Sequence, residues 1–270
     1  MMMTRSPRGW PAILSALIVG IILLPARGSA EPGPPQCSAS ADLMRLDLPL
    51  SRVMQRVALG EPVKIVAIGS SSTSGAGASS TAWNYPSRLE VELRARFPKL
   101  SIQVLNRGVG GEEVPQMLAR FAAAVIAEKP DLVIWQLGTN SVLRGHDIRK
   151  VAEDIRDGIA RIKAIGADVI LMDLQFAPRV VEKADAQPMV GLISAVAKRQ
   201  NVDLFHRFAV MRHWTETRRI SFRQSLAPDG PHMNDWSYGC LAKLLAGAIA
   251  EAATRAPQTA GISAAPTAHP

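Results

Sequence analysis

The chain has 270 residues, a formal net charge of +8 at pH 7 and a hydrophobic fraction of 47%. This length suits one sizeable domain or two small ones, and the composition is that of an ordinary globular protein rather than a disordered or fibrous one. The charge is mildly basic, but no run of Lys and Arg is interleaved with aromatic residues as a nucleic-acid-binding surface would be. We therefore expect no nucleic-acid partner.

The first thirty residues have the pattern of a secretory signal peptide. Arg5 and Arg8 precede an apolar run at 12–24, and small residues follow it. The run is shorter than the ~20 apolar residues that a bilayer-spanning helix needs, so cleavage is favoured over a retained membrane anchor. The sequence thus predicts a signal peptide at 1–30, export to the periplasm or secretion, and no stable membrane insertion after cleavage.

The chain has two cysteines, Cys37 and Cys240. In an oxidising compartment such a pair can form a disulfide, which here would tie an N-terminal arm to the last helix. Two unpaired buried thiols are the alternative, because sequence alone does not show that the two residues are close together.

Composition divides the exported part of the chain into three segments. Residues 31–60, which begin rich in Pro, Ser and Ala, predict an extended arm and a short helix, and residues 255–270 predict a disordered tail. Between them, residues 61–254 contain no linker and no internal repeat, so we expect one folded domain there.

Short apolar, β-branched runs alternate with amphipathic stretches along this domain. The predicted strands lie at 63–69, 101–106, 131–138, 168–174 and 202–205. The predicted helices lie at 85–97, 113–128 and 147–165, with a last helix from Trp236. Strands that are apolar throughout are buried on both faces, which predicts a three-layer α/β/α sandwich around a five-stranded parallel sheet.

In such sheets the functional loops follow the carboxyl ends of the strands. Four of these loops are rich in Gly and in side chains capable of chemistry. They read "GSSSTSGAG" (69–77), "NRGVGGEE" (106–113), "GTNS" (138–141) and "APDGPHMND" (227–235).

In order and spacing, these four stretches resemble the SGNH, or GDSL, hydrolase family over about residues 63–254. The resemblance implies a flavodoxin-like fold and a serine hydrolase that needs no metal or organic cofactor. It places the nucleophile at Ser71, two positions after Gly69, and the rest of a catalytic triad at Asp229 and His232. A weak serine nucleophile needs an imidazole to take its proton and a carboxylate to orient that imidazole.

The same resemblance implies an oxyanion hole made of the Ser71 backbone N–H, the Gly111 backbone N–H and the Asn140 amide. Preorganised donors of this kind stabilise the negative charge that develops on the attacked carbonyl oxygen. Glycine suits position 111 because the missing Cβ lets the backbone approach a substrate closely.

The sequence departs from the family pattern at the first block, where "GSS" stands in place of "GDS". Ser70 occupies the aspartate position, and Ser70 and Ser72 compete with Ser71 for the role of nucleophile. The Gly-x-Ser spacing favours Ser71, because that spacing sets which side chain the turn presents.

Two features have other interpretations that do not involve catalysis. The first loop alone could cradle a phosphate, but it lacks the lysine of a P-loop, and the other three blocks favour hydrolysis. The histidines at 146, 206 and 213 have no companion ligand at metal-binding spacing, so we interpret them as surface or core residues.

A cluster of arginines at 207–224 precedes the last block. It predicts either a substrate-binding flap or, as we favour, a solvated amphipathic helix.

We expect an exported serine esterase that acts on short acyl groups, such as O-acetyl groups on a carbohydrate. An acyltransferase that moves an acetyl group to a polysaccharide and a non-catalytic polysaccharide-binding module are the alternatives. Acyl length, the alcohol half of the substrate and the oligomeric state stay open at this point.

Overall fold

The computed structural model describes residues 1–3 and 35–255. Residues 4–34 and 256–270, which hold nearly all of the predicted signal peptide and tail, lie outside the described residues. The chain divides into residues 1–33 and a compact unit at 34–270. The following description concerns the second unit.

Five parallel strands form one sheet with the order β2-β1-β3-β4-β5. The bounds are β1 Val63–Gly69, β2 Ile102–Gly108, β3 Leu132–Gln136, β4 Asp168–Met172 and β5 Asp203–Phe205. The predicted strands all exist, with ends that differ by up to two residues. This strand order reverses direction between β1 and β3, which is where open α/β sheets bind their ligands.

Twelve α-helices and three short 3₁₀ helices surround the sheet. The α-helices are α1 Ser51–Leu59, α2 Ser71–Ser74, α3 Tyr85–Arg96, α4 Val114–Ala119, α5 Phe121–Ala124, α6 Thr139–Arg144, α7 Ile148–Ala164, α8 Pro178–Val181, α9 Ala186–Arg199, α10 Arg207–Glu216, α11 Phe222–Ser225 and α12 Asp235–Thr254. The 3₁₀ helices are Ala41–Met44, Thr81–Trp83 and Ile126–Glu128. These counts refer to the described part of the chain.

The helices form two layers. Helix α12 packs against α3 and α1, and α7 packs against α4 and α9. Every residue of β3 is buried, as a strand covered on both faces must be. The three-layer α/β/α sandwich predicted from the apolar strands is therefore confirmed.

The prediction of one continuous helix at 113–128 is wrong. The structure breaks it at Arg120, where φ is −109° and ψ is 6°, so that α4 and α5 are separate. The Arg120 side chain turns back to the Glu112 carboxylate at 2.5 Å and to the Arg107 carbonyl at 2.8 Å. Apolar periodicity along the segment shows neither the backbone break at Arg120 nor these side-chain contacts.

The prediction of a solvated amphipathic helix at 207–224 is also wrong. Helix α10 ends at Glu216, and its first residue, Arg207, is fully buried together with Trp214. The side chains of Arg212 and Arg223 are exposed, as expected. The cluster is therefore not one surface, because its first arginine lies in the interior beneath the carboxyl edge of the sheet.

Carboxylates at the amino edge of the sheet hold the N-terminal arm in place. Asp168 accepts hydrogen bonds from the backbone N–H groups of Arg52 and Val53, which begin α1 and have no partner inside that helix. Asp131 accepts from the side chain of Arg52 at 3.0 Å. Asp203 accepts from the backbone N–H of Leu48 at 3.0 Å.

A disulfide joins Cys37 in the arm to Cys240 in α12. Beside it, Trp214 Nε1 donates a hydrogen bond to the carbonyl of Ser38 at 3.0 Å. Trp214 also packs edge-on against Trp236 of α12, with ring centroids 5.0 Å apart. The arm is thus fastened to the helix that follows the "DGPH" loop.

We expect the double variant Cys37→Ser/Cys240→Ser to lower the free energy of unfolding by about 2–5 kcal/mol, because the crosslink restricts the unfolded chain. Urea unfolding of the oxidised wild type and of the variant measures the difference. A reducing agent should destabilise the wild type and leave the variant unchanged. Equal stability of the two oxidised proteins would contradict the prediction.

Candidate active site

The turn that presents the predicted nucleophile lies directly on the ends of two strands. β1 and β2 end in register at Gly69 and Gly108. A Cβ at Gly69 would lie 2.2 Å from Thr73 Oγ1, and one at Gly108 would lie 2.1 Å from the backbone nitrogen of Ser74. Two glycines at the strand ends therefore allow α2 to begin immediately above the sheet.

The three competing hydroxyls have different partners. Ser70 is buried, and both its backbone N–H and its Oγ donate to Gln136 Oε1, at 2.9 and 3.1 Å. Ser72 is buried and donates to Gln175 Oε1 at 3.3 Å. Ser71 is half-buried, and its Oγ lies 2.8 Å from His232 Nε2. Of the three, Ser71 is the hydroxyl that meets an imidazole.

The loop before α12 brings Asp229 and His232 together. His232 Nδ1 lies 2.5 Å from Asp229 Oδ2, and the backbone N–H of His232 donates to Asp229 Oδ1 at 3.2 Å. Gly230 turns the chain with a φ of +87°, and its N–H donates to the carbonyl of Ala227 at 3.0 Å. The three-residue spacing thus closes a tight turn around one carboxylate–imidazole pair.

This arrangement determines the tautomer that the imidazole needs. When Nδ1–H donates to the Asp229 carboxylate, Nε2 is the acceptor and faces the Ser71 hydroxyl. The side chain of His232 is 19% exposed and that of Asp229 is 46% exposed. The pair therefore lies at the surface of the sheet's carboxyl edge, where a substrate can reach it.

Gly77 brings the loop after α2 against the histidine loop. A Cβ at position 77 would lie 2.9 Å from His232 Cβ and 2.5 Å from the carbonyl oxygen of Met233. Farther along, Ser79 donates from its N–H and its Oγ to Asp235, the first residue of α12, at 2.8 and 2.6 Å. The nucleophile loop and the histidine loop thus pack against each other directly.

The predicted oxyanion residues lie on the two neighbouring loops. Asn140, in the first turn of α6, donates from Nδ2 to the carbonyl of Glu112 at 2.8 Å, a bond that uses one of its two amide hydrogens. Gly111 is exposed and has a φ of +80°, a conformation that favours glycine. A Cβ at Gly110 would lie 4.0 Å from Ser71 Cβ, so this loop passes beside the nucleophile.

The side chain of Arg144 links the buried carboxylate of Glu113 to the Gly111 loop. Glu113 caps α4 through a capping box with Gln116, which confirms the expectation that this residue begins a helix. Arg144 donates to Glu113 at 2.5 Å and to the carbonyl of Gly111 at 2.8 Å. Although burial opposes ionisation, hydrogen bonds from Arg144 and His146 hold the pKa of Glu113 below its ordinary value. His146 thus has a carboxylate partner that sequence spacing did not reveal.

Sequence reasoning missed the buried polar residues beneath the site. Gln136 ends β3, Gln175 and Asp173 follow β4, and Arg207 begins α10, and all four are fully or almost fully buried. Burial raises the pKa of Asp173 to about 7, and burial lowers the pKa of Arg207 to about 10. The one signal in the sequence was a polar residue at the end of an apolar strand. Such a residue can be placed at the carboxyl edge of the sheet, but no motif marks it as part of a site.

The fold and these loops define an SGNH-type hydrolase architecture. The model of the non-GDSL lipase-like family matches residues 36–255, which is most of the chain, so the protein belongs to that family.

Similar proteins are esterases. The acetylxylan esterase of Geobacillus stearothermophilus is 32% identical over 107 residues, which cover 36% of this chain and 47% of that protein. Esterase TesA of Pseudomonas aeruginosa is 30% identical over 107 residues, which cover 38% of this chain and 52% of that protein. The chain spans about half the length of the curated relatives it matches.

A solved two-domain esterase active on acetylated mannans shares the fold. It superposes with a TM-score of 0.64 and 24% identity over 76% of this chain and 54% of that chain.

We expect Gly108→Ala to lower the free energy of unfolding by about 1–3 kcal/mol or more, because the added Cβ overlaps the backbone of the nucleophile turn. Gly110→Ala is the matched control, since a Cβ there meets open space apart from Ser71 Cβ at 4.0 Å. Urea unfolding measures both. Equal destabilisation by the two variants would show that the turn does not rest on the strand end as described.

The raised pKa of Asp173 predicts a pH dependence of stability. Between the unfolded pKa, near 3.8, and the folded pKa of about 7, the folded protein binds more protons than the unfolded chain. The contribution of Asp173 to the free energy of unfolding is therefore largest below about pH 4 and is lost as the pH rises through 7.

Asp173→Asn should remove this decline, because the amide oxygen still accepts from the Phe208 N–H but does not ionise. Urea unfolding from pH 4 to 8 measures the slope for the wild type and for the variant. Asp42→Asn, at an exposed position, should keep the wild-type slope. An unchanged slope in Asp173→Asn would contradict the prediction.

Proposed function

We propose that the protein is a serine hydrolase that cleaves carboxylic esters through an acyl-enzyme on Ser71. The observation that carries the proposal is one continuous line of hydrogen bonds. It runs from Ser71 Oγ to His232 Nε2 at 2.8 Å and from His232 Nδ1 to Asp229 Oδ2 at 2.5 Å. A nucleophile, a base and a group that orients the base are the parts that acyl transfer requires.

In the first step, Ser71 Oγ attacks the ester carbonyl carbon while its proton passes to His232 Nε2. Collapse of the tetrahedral intermediate breaks the ester C–O bond, and the leaving alcohol takes that proton. Water then gives a proton to Nε2 and bonds to the acyl carbon, after which Ser71 Oγ leaves and regains a proton. The net products are an alcohol and a carboxylic acid. Throughout, Asp229 stabilises the imidazolium without itself becoming protonated.

In this proposal three hydrogen-bond donors stabilise the negative charge on the attacked oxygen. They are the backbone N–H groups of Ser71 and Gly111 and the second amide hydrogen of Asn140. Donors that are fixed before the reaction stabilise the transition state without reorganisation. The Asn140–Glu112 and Arg144–Gly111 hydrogen bonds supply that fixation.

We propose short acyl esters of a carbohydrate, such as O-acetyl groups, as the substrate class. The names of the relatives support this, since an acetylxylan esterase and an esterase active on acetylated mannans are among them. The surface supports it as well. Val109, Gly110 and Gly111 are exposed, and a Cβ at Gly110 would lie 4.0 Å from Ser71 Cβ, so the loop beside the nucleophile is open to solvent.

Export is part of the proposal. The Cys37–Cys240 disulfide supports it, because disulfides persist mainly in oxidising compartments. The apolar segment at 12–24 supports a signal peptide at 1–30. Within the described residues, no helix has both the length and the apolarity that crossing a membrane requires.

The test is hydrolysis of p-nitrophenyl esters of increasing chain length by residues 31–270 of the chain. We expect activity on the acetate that falls by about 10³-fold or more in Ser71→Ala and in His232→Ala. Asn140→Ala should lower kcat by about 10²–10³-fold through the loss of one oxyanion donor. Ser70→Ala is the matched control, because its hydroxyl binds Gln136 rather than the imidazole.

Two outcomes would contradict the proposal. A wild type that hydrolyses none of the esters would contradict the proposal of an ester hydrolase. Acetyl transfer to an added sugar by that protein would then favour an acyltransferase. Loss of activity in Ser70→Ala with retention in Ser71→Ala would show that the wrong hydroxyl is assigned.

A further inference from the structure

One buried side chain connects the three loops that carry the proposed catalytic residues. Gln175, which is 2% exposed, follows β4. Its Oε1 accepts hydrogen bonds from Thr139 Oγ1 at 2.9 Å and from Ser72 Oγ at 3.3 Å. Its Nε2 donates to the carbonyl of Pro231 at 3.2 Å. These partners come from three separate segments of the chain.

Each of these three partners is the sequence neighbour of a residue in the proposed site. Ser72 follows Ser71, Thr139 precedes Asn140, and Pro231 precedes His232. A movement of the Gln175 amide is therefore passed to the nucleophile, the oxyanion amide and the base through one peptide unit each.

Arg207 determines which way the amide of Gln175 points. Its Nη2 donates to Gln175 Oε1 at 3.1 Å. An amide turned by 180° would direct its NH₂ group at the guanidinium and at two hydroxyls, and its oxygen at the Pro231 carbonyl, which lacks a donor. The burial-lowered pKa of Arg207, about 10, leaves the guanidinium cationic at neutral pH, so it acts as a donor only.

We propose that Gln175, oriented by Arg207, is a positioning residue that sets the relative placement of Ser71, Asn140 and His232. The inference rests on the proposed function, since it assigns Gln175 to the geometry of that same site. Such placement matters because a misplacement of about 1 Å at reacting groups can cost about 10²-fold in rate. Residues that lock catalytic side chains in this way are themselves buried and hydrogen-bonded, as Gln175 is.

Gln175→Glu tests the role with an isosteric side chain. The carboxylate still accepts from Arg207, Ser72 and Thr139, but it loses the donor to Pro231 and sets an oxygen against that carbonyl. We expect kcat for p-nitrophenyl acetate to fall about 10²-fold while KM changes less than about threefold. The midpoint of thermal unfolding is measured for the same variant, so that its loss of kcat is compared with that of a control of equal stability.

Asp203→Asn is the matched control for a change at a buried polar group. Asp203 is 4% exposed and binds the Leu48 N–H at the opposite edge of the sheet. This variant should keep the wild-type kcat whatever its stability. A loss of kcat in Gln175→Glu that Asp203→Asn matches at equal loss of stability would overturn the positioning role.

A second readout does not depend on turnover. The Nδ1 proton that His232 donates to Asp229 should give a low-field ¹H NMR resonance that His232→Ala removes. We expect Gln175→Glu to shift or broaden that resonance and Asp203→Asn to leave it unchanged. An unchanged resonance together with wild-type kcat in Gln175→Glu would overturn the inference while ester hydrolysis stands. A wild type that cleaves no ester, with a resonance that responds to Gln175, would overturn the proposed function while the positioning role stands.

Discussion

The hydrogen bond between Ser71 Oγ and His232 Nε2 joins residues that are 161 positions apart in the chain. It forms because β1 and the segment before α12 both end at the carboxyl edge of one parallel sheet. Everything that maintains this edge, from the glycine ends of β1 and β2 to the tight turn at Gly230, therefore acts on a single contact. The alignment of the strands therefore determines where the site lies, and the side chains determine its chemistry.

Close backbone packing above the sheet is the condition for that contact. Gly69 and Gly108 let the nucleophile turn lie on the strand ends, and Gly77 lets the next loop touch the histidine loop. The Ser70 and Ser72 hydroxyls that this packing buries find their partners in two glutamines, Gln136 and Gln175. A buried hydroxyl without a partner would lower the free energy of unfolding by about 1–3 kcal/mol. The two glutamines avoid this cost for the serine side chains that face the interior.

The serine row itself illustrates how tertiary structure assigns roles to similar residues. Ser70, Ser71 and Ser72 have the same side chain, yet two of them face the interior and one faces the imidazole. Ser70 precedes α2 with φ −95° and ψ −148°, whereas Ser71 and Ser72 lie in its first turn, where successive side chains are about 100° apart. The neighbouring hydroxyls therefore fasten the turn, and Ser71 is left to face the imidazole of His232.

Much of this protein could be predicted from its sequence. Apolar strands without alternation indicated a sheet buried on both faces, and four ordered loops indicated the family, because both signals are local in the chain. The placement of Arg207, the break at Arg120 and the His146–Glu113 pair could not be predicted in this way. Each depends on a contact with a distant segment, and a pattern of hydrophobicity along one helix carries no information about that segment. Only the tertiary structure decided which polar residues lie inside, because burying a polar group costs free energy that partners from other segments of the chain offset.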